Sequence, residues 1–279
     1  MSSSTATEPA PSPAERYATF RARRDQSVRS AKGSLALVNT QWVDSEQTIW
    51  GVPGVWAPLP AGESGLRVSA AASDNIRVNG QLVDGTTVVA GKDSALPGDI
   101  TFDDTRAGFV IAGENGRYAL RVWDANSEAI GQFGRIDAFD YNPNWVIQAT
   151  FEPNEGGVTV GFEHLKDEGR TREKVIPGAI VFTYADTEYR LSAFAEGRAL
   201  QLVFADATTG VSTYGVGRFL FVAPHADGTI TLDFNTAVLP PCAFSNHFNC
   251  PMPPRQNRLP FAIEAGEKTV LNLAGEELH

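Results

Sequence analysis

The spacing of apolar residues changes at Gly33, from a helical period before it to short alternating runs after it. Tyr17 and Phe20 belong to the helical part, in which apolar residues recur every three or four positions. The segment from Ser12 to Glu15 has the form of a helix start, with a hydroxyl cap, a proline in the first turn and a glutamate three residues after the serine. We therefore predict one amphipathic helix over residues 13–32, ended by Gly33, which packs its Tyr17 and Phe20 face against the rest of the protein.

The remainder of the chain has the pattern of strands. β-branched and aromatic runs are separated by Gly, Asn, Asp and Pro. Two pairs of runs flank Asn79-Gly80 and Asn115-Gly116, and Asn-Gly tolerates the positive φ angles of a tight hairpin turn. Further runs follow at residues 145–149, 158–160, 179–183, 189–193, 200–204, 218–222 and 229–234. Because no helical segment long enough for a parallel crossover separates these runs, the sheets should be antiparallel.

These elements predict an all-β protein, a single-domain antiparallel β-sandwich or distorted barrel with one N-terminal amphipathic helix. The expected partition is a disordered tail over residues 1–12, the helix over 13–32 and one β-rich domain over 33–279. The charged segment 166–174 would permit a split near residue 170, but a charged loop is the simpler interpretation.

Charge is distributed unevenly along the chain. It has 23 basic and 33 acidic side chains and a net charge of −10, and residues 1–32 hold six of the basic ones against three acidic. The body is therefore strongly acidic, and an acidic surface repels phosphate backbones and anionic lipid. We expect no nucleic-acid partner and no membrane partner, and we place the N-terminal arginines on the solvent face of the helix.

The location predicted from the sequence is cytoplasmic. Residues 1–13 contain no apolar stretch of the kind that forms the core of a secretion signal. No window approaches the roughly 18 continuous apolar residues of a membrane span. The two cysteines are too few for a secreted disulfide scaffold, so Cys242 and Cys250 should be thiols by default.

The common catalytic signatures are absent from the sequence. There is no G-x-S-x-G elbow, no phosphate-binding G-x-x-x-x-G-K-[ST] loop and no H-E-x-x-H motif. The segment from Gly215 to Arg218 begins like a dinucleotide fingerprint, but it lacks the third glycine and leads into a strand rather than a helix. We therefore predict no cofactor.

A proline-rich segment, residues 239–254, is the most unusual stretch of the chain. Five prolines bracket its two cysteines, which fixes the backbone on both sides and favours one rigid conformation. Three interpretations remain open. Cys242, His247 and Cys250 could bind a metal, although a structural zinc site needs four ligands. Cys242 and Cys250 could form a disulfide, or they could be two buried thiols that act as small hydrophobic residues.

Polar residues surround this segment in the sequence, namely Arg218, Asp233, Asn235, Asn257, Arg258, Glu264 and Glu267. Asp233 points away from the face that Ile230 and Leu232 should bury, because side chains alternate along a strand. If its own face is also covered, Asp233 needs a cation, and Arg218 or Arg258 would be its bidentate partner. The set could be a buried ion network that fixes the C-terminal loop, or a polar pocket for a small molecule.

Several motifs in this region resemble the "domain of unknown function 1684" family. They are Gly217-Arg218-Phe219-Leu220, Asp233-Phe234-Asn235, Pro240-Pro-Cys-Ala-Phe244, Cys250-Pro-Met-Pro-Pro254, Asn257-Arg258-Leu259-Pro260 and Glu264-Ala-Gly-Glu-Lys268. A looser likeness extends upstream and covers most of residues 34–270. The resemblance implies a single soluble β-rich domain without an assigned activity. It also implies that both cysteines belong to the family pattern, whereas His247 is a local variation.

Three functions remain as hypotheses. The first is a cytosolic binding protein or low-turnover enzyme that binds a small polar molecule, carrying a carboxylate or a phosphate, beside the proline-rich segment. Its predicted ligand-binding residues are Arg218, Asn235, Asn257 and Arg258, together with Asp233. The second is a hydrolase in which Asp233 or Glu264 acts as general base. The third is a structural or partner-binding β domain in which the same residues form a closed ion network.

Overall fold

The N-terminal helix forms as predicted at its start and ends earlier than predicted. The computed structural model describes residues 10–113, 116–167 and 171–278, and helix α1 spans Pro13–Val28. The capping box is present, since Ser12 N donates to Glu15 Oε2 (2.7 Å) and Glu15 N donates to Ser12 Oγ (3.3 Å). Most of the expected tail, residues 1–9, lies outside the described residues.

The predicted end of this helix at Gly33 is wrong by about one turn. Ser30 donates both its N–H and its hydroxyl to the carbonyl of Ser27, which replaces the next α-helical hydrogen bonds with a tight turn. Gly33 then lies so close to this last turn that a Cβ there would collide with the Ser27 and Val28 carbonyls. Gly33 is therefore needed for close packing after the helix, not as its cap.

The protein is mostly β, as predicted, with 45% of the described residues in strands against 15% in helices. The strands are β1 (Leu37–Trp42), β2 (Gln47–Thr48), β3 (Val55–Pro58), β4 (Leu66–Ala70), β5 (Arg77–Val78), β6 (Gln81–Leu82), β7 (Gly85–Val89), β8 (Asp99–Thr101), β9 (Arg106–Ala112), β10 (Tyr118–Asp124), β11 (Phe133–Ala138), β12 (Val146–Phe162), β13 (Arg172–Tyr184), β14 (Thr187–Glu196), β15 (Ala199–Phe204), β16 (Arg218–Val222), β17 (Thr229–Asp233) and β18 (Glu267–Asn272). A short helix α2 (Glu128–Gln132) precedes β11, and β11 and β18 form a two-stranded sheet. The sheets are antiparallel, and one is nearly closed into a barrel.

The chain divides into two compact units. The first unit comprises residues 1–26, 136–240 and 250–269, and the second comprises residues 27–135, 241–249 and 270–279. Each unit is therefore assembled from three separate stretches of chain. The expected single domain over 33–279 stays a prediction.

The first unit is built on a six-stranded sheet in the order β16-β15-β14-β13-β12-β17. Its two end strands approach each other, which gives the sheet its barrel form. Ile230, Leu232 and Phe234 are fully buried in its core, so the alternation predicted for β17 is confirmed. The charged segment near residue 170 connects β12 to β13, whose ends pair Phe162 with Arg172; residues 168–170 lie outside the described ones.

The second unit holds a six-stranded sheet, β1-β10-β9-β8-β5-β6, and a four-stranded sheet, β2-β3-β4-β7. Its core is separate from that of the first unit and is centred on Trp56, Leu66 and Val68. The Asn79-Gly80 hairpin is confirmed, because both residues have positive φ (50° and 79°) between β5 and β6. β9 and β10 also pair as a hairpin, although Asn115 of its predicted turn lies outside the described residues.

No helix in the described part of the chain is long and apolar enough to cross a membrane.

Candidate functional site

Arg218 is buried, and its guanidinium is held by acceptors from two parts of the first unit, Asp206 and the segment 263–267. It forms an ion pair with Asp206, with Nη2 2.5 Å from Oδ2. Nη2 also donates to the Ile263 carbonyl (3.0 Å), and Nη1 donates to the Ala265 carbonyl. The side chain of Arg218 is 0% exposed, so no ligand reaches it in this conformation.

Asp206, the partner of Arg218, is itself fixed by its surroundings. Its Oδ1 accepts hydrogen bonds from the backbone N–H (2.7 Å) and the hydroxyl (2.6 Å) of Thr208. The Thr208 hydroxyl also lies 3.0 Å from that of Thr213. One oxygen of the carboxylate thus accepts hydrogen bonds from the turn after β15, and the other forms the ion pair with the guanidinium of Arg218.

Burial has a direct electrostatic effect on this ion pair. It lowers the pKa of Arg218 from its ordinary value, because the charged form loses its hydration, and the attraction of Asp206 opposes that change. The guanidinium of Arg218 and the carboxylate of Asp206 thus compensate each other's charge inside the protein. The Nε of Arg218 has no hydrogen-bond partner within the described chain.

The predicted pairing of Arg218 or Arg258 with Asp233 is wrong. Asp233 uses Oδ1 to cap the short 3₁₀ turn that follows β17, where it accepts from Asn235 N (3.1 Å) and Asn235 Nδ2 (2.8 Å). Asn235 also exchanges hydrogen bonds with the backbone of Asn142. A short polar residue after a strand readily caps its own turn, and this local bonding satisfies Asp233 without a cation.

The other predicted site residues are separated by burial. Asn257 is 0% exposed and joins β14 to β15, since Nδ2 donates to the carbonyls of Ser192 (2.9 Å) and Val203 (2.8 Å) while Oδ1 accepts from Ser192 N (2.8 Å). Arg258 and Glu264 are exposed. The residues proposed as one pocket are therefore partly enclosed in the fold and partly on its surface.

Glu267, by contrast, is buried and forms ion pairs with two half-buried arginines of helix α1. Its Oε1 lies 2.8 Å from Arg21 Nη1 and 3.0 Å from Arg24 Nε, and its Oε2 accepts from Leu239 N (2.7 Å). Tyr17 adds a hydrogen bond from its hydroxyl to the Phe139 carbonyl (2.8 Å). The placement of Arg21 and Arg24 on the solvent face of the helix is therefore wrong.

The helical spacing in the sequence indicates that Arg21 and Arg24 face the protein. Residues 17, 21, 24 and 28 share one helix face, so Arg21 and Arg24 must follow Tyr17 and Val28 toward the protein. We call the five side chains Arg21, Arg24, Asp206, Arg218 and Glu267 the ion cluster.

Cys242 and Cys250 are both buried and are not joined by a disulfide. Cys242 belongs to the second unit and Cys250 to the first. Within the described residues, no group of three or more His, Cys, Asp or Glu side chains is arranged to hold a metal ion.

A cleft of about 590 Å³ opens in the second unit, and every residue that lines it belongs to that unit. Its apolar wall consists of Leu35, Leu37, Val38, Ala129, Phe244 and Leu278. Its polar rim includes Arg106, Asp124, Asn126, Glu128, Gln132 and His247. Part of the proline-rich segment, residues 244–247, thus borders a cleft, but the residues opposite it are not those predicted.

Hydrogen bonds fix two walls of this cleft. Ser245 Oγ donates to the Leu37 carbonyl (2.7 Å) and accepts from His247 N (3.2 Å), which attaches the proline-rich segment to β1. Ser127 Oγ donates to the Leu35 carbonyl (2.7 Å) and caps helix α2 by accepting from Ile130 N (3.3 Å). The cleft is therefore preformed at its base.

Arg106 closes another side of the cleft and is itself neutralised. Its Nε and Nη2 both lie 2.7 Å from Asp103 Oδ2, and its Nη1 donates to the Gly51 carbonyl. Burial alone would raise the pKa of Asp103, but hydrogen bonds from Thr105 and Arg106 outweigh it and hold that pKa at about 2. The positive charge of Arg106 at the rim is thus paired with the carboxylate of Asp103.

Trp50 stands at the same cleft and is 71% exposed. Its backbone is nevertheless fixed, because Trp50 N donates to Gln41 Oε1 (3.2 Å) and Asn39 Nδ2 donates to the Trp50 carbonyl (3.1 Å). The sequence interpretation did not consider Trp50, Asp124 or Glu128. No motif marks them, because Trp50 follows β2 whereas Asp124 and Glu128 flank the turn between β10 and α2, and only folding brings these two parts of the chain to one cleft.

Fold and sites together define a mostly-β protein with a closed ion cluster in one unit and an open cleft in the other. Residues 131–268 match the model of the family described as "Protein of unknown function (DUF1684)", which confirms the resemblance seen in the sequence. Asp206, Arg218 and Glu267 lie inside the matched segment, whereas most cleft residues precede it. Only the part of the looser likeness that precedes residue 131 falls outside it.

Among solved structures, the chain is similar to an uncharacterised protein of Haloarcula marismortui whose solution structure was determined by NMR. The two are 35% identical over 49% of this chain and 77% of that one, with a TM-score of 0.41. None of the curated proteins compared with the chain matches it.

Proposed function

We propose that the protein binds a small molecule in the cleft of the second unit, and that the ion cluster of the first unit maintains the fold. The observation that carries the proposal is the cleft itself. Its volume of about 590 Å³ lies within the range of roughly 300–1,000 Å³ that is usual for ligand sites. Its apolar wall and the polar groups fixed beside it are features that such sites combine.

This proposal keeps the predicted binding of a small molecule but places it in the cleft of the second unit rather than around Arg218. Arg218 was the expected anion-binding group, but its guanidinium is occupied by Asp206 and three backbone carbonyls and has no exposed surface. Asn257 is likewise saturated by Ser192 and Val203. A ligand there would have to replace several buried hydrogen bonds, each costly to leave unmade.

Hydrolysis by a carboxylate base stays an alternative hypothesis without an observation in its favour. Asp233 caps its own turn, and Glu264 is exposed outside any described cleft. A cytoplasmic location and the absence of nucleic-acid and membrane partners likewise stay predictions.

The test is a fragment screen by two-dimensional NMR on the full chain. We expect several hits to shift resonances of cleft residues, among them the Trp50 indole N–H. The variant Asn126→Trp places a large side chain on the exposed rim and should abolish these shifts. Ala61→Trp, at an exposed position outside the cleft, should leave them intact. If the hits shift residues elsewhere, or survive Asn126→Trp, the cleft is not the binding site.

A further inference from the structure

We infer that this cleft selects an organic cation, a small molecule with an ammonium head and an apolar body. The inference rests on the proposed function, since it names the ligand class for the same cleft. Three independent features of the cleft support it, namely its charge, its exposed aromatic side chain and its apolar wall.

The charges at the cleft do not cancel. Arg106 is paired with Asp103, so this positive charge is already compensated. Asp124 and Glu128 also line the cleft, and neither forms an ion pair with a described residue. The hydrogen bonds found for them come from the neutral donors Asn126 N (2.8 Å) and Gln132 Nε2 (2.7 Å), each to one carboxylate oxygen. The site therefore holds two uncompensated negative charges, which repel an anion and attract a cation.

The position of Asp124 relative to Arg106 strengthens this asymmetry. The two residues are directly opposite each other on β10 and β9, so their side chains project on the same face. Arg106 nevertheless directs two of its nitrogen atoms to Asp103 and a third to the Gly51 carbonyl. Its fork is thus engaged away from Asp124, and a cationic ligand can take the place beside that carboxylate.

Trp50 supplies the second feature. The side chain of Trp50 is mostly exposed to solvent, while two hydrogen bonds fix its backbone. An exposed indole contributes little buried apolar surface to the stability of the fold. The same arrangement places an exposed indole ring at a cleft that is also lined by Asp124 and Glu128. Tryptophan is the side chain that binds ammonium groups best through its ring.

The apolar wall supplies the third feature. Leu35, Val38 and Phe244 lie in the same cleft as the carboxylates. A bare inorganic cation would leave these surfaces unused, whereas an amine with a hydrocarbon body would cover them. The ligand class that fits all three features is an amphipathic ammonium compound.

Three probes of nearly the same shape test the inference by their charge. They are choline, its neutral isostere 3,3-dimethylbutan-1-ol and the anion 3,3-dimethylbutanoate, each titrated into the wild-type protein and followed through the Trp50 indole resonance. We expect choline to bind about tenfold more tightly than the neutral isostere, with the anion weakest. The preference should decrease with added salt.

Two sets of variants separate the contributions. Trp50→Leu, followed through backbone resonances of the cleft, and the pair Asp124→Asn with Glu128→Gln should each reduce the cation preference to about twofold or less. Trp42→Leu removes another exposed tryptophan of the second unit that does not line the cleft, and it should leave the preference unchanged.

The outcomes distinguish this inference from the proposed function. If the neutral isostere binds in the cleft as tightly as choline, or if the anion binds best, the inference is overturned while small-molecule binding stands. If neither these probes nor any fragment shifts a cleft resonance, both fail. A cation preference that persists in both variant sets would also overturn the inference, because residues other than these would then determine the preference.

Discussion

At the scale of single residues, Arg218 and Asp206 form an ion pair inside the first unit. Both side chains are fully buried. Each partner is costly to leave alone, because a charge inside the protein has lost its hydration and needs compensation. The position of this pair in the fold therefore makes it a determinant of stability.

We predict that Arg218→Met lowers the free energy of unfolding by about 3–5 kcal/mol, because it leaves Asp206 buried without its cation. Urea unfolding monitored by circular dichroism measures this change. Arg258→Met, at an exposed position in the same unit, should change it by less than about 0.5 kcal/mol. Adding Asp206→Asn to Arg218→Met should restore part of the loss, and equal losses at positions 218 and 258 would contradict this account.

The sequence indicated that Arg218 is buried and paired, but it did not identify the partner. β15 and β16 pair Phe204 with Arg218, and Asp206 follows only two residues after Phe204. That register depends on a strand pairing across a long connecting turn, which local spacing does not specify. Asp233 was chosen instead because the residues around it alternate clearly, and its local cap was overlooked.

At the scale of elements, helix α1 is attached to the first unit by charge as well as by apolar contact. Its arginines supply the cations for Glu267, which has no exposed surface. Burial raises the pKa of Tyr17, on the same face, against the influence of Arg21. The helix is thus required to neutralise a buried carboxylate.

We predict that Arg21→Ala with Arg24→Ala destabilises the protein by about 3–5 kcal/mol, since Glu267 then has no cation. Adding Glu267→Gln should recover more than about 1 kcal/mol of that loss, because the remaining side chain is neutral. A double-mutant cycle by urea unfolding gives the coupling. Arg23→Ala, exposed on the same helix, is the control. Strict additivity of the arginine and glutamate changes would show that the helix does not serve this purpose.

The strands show what local pattern can and cannot predict. β16 and the hairpin at Asn79-Gly80 were found from alternation and from turn residues. The runs at 145–149 and 158–160 were predicted separately but belong to one strand, β12, which has an irregularity between Pro153 and Val158. The turn after β13 uses Ala185 and Asp186 with positive φ, and alanine at the first of these positions does not mark such a turn.

At the scale of the whole molecule, the two units explain why the sequence suggested a single domain. Each unit takes residues from three stretches, and the proline-rich segment contributes to both. No linker appears along such a chain, because the boundaries fall between residues that continue one element or one loop. The cleft was missed for the same reason, since residues 35–51, 106–132, 244–247 and 278 meet only after folding.

Stability of the whole chain should fall at acid pH. Hydrogen bonds from Arg117, Ser64 and Thr229 lower the pKa of Asp44, Asp93 and Asp227 respectively, and that of Asp103 is about 2 in place of 3.8. A carboxylate with a lowered pKa binds fewer protons in the folded than in the unfolded state between these two values. Its contribution is complete above about pH 4 and is lost as the pH falls toward about 2.

We predict that Asp103→Asn makes the decrease in the free energy of unfolding between about pH 4 and pH 2 smaller. The difference is at most about 1 kcal/mol, because the side chain is partly exposed. Thermal unfolding across this range measures it. Asp104→Asn, at the exposed neighbouring position, controls for the loss of one negative charge. A slope that Asp103→Asn leaves unchanged would show that Arg106 does not hold this carboxylate.

The central claim is that ligands enter the cleft of the second unit and not the ion cluster of the first. The most direct measurement is a map of NMR shift changes over the whole chain on titration with choline. The account predicts saturable changes at Trp50, Asp124 and Glu128, with none at Asp206, Arg218 or Asn257. Saturable changes centred on Arg218, with the cleft resonances unmoved, would contradict it.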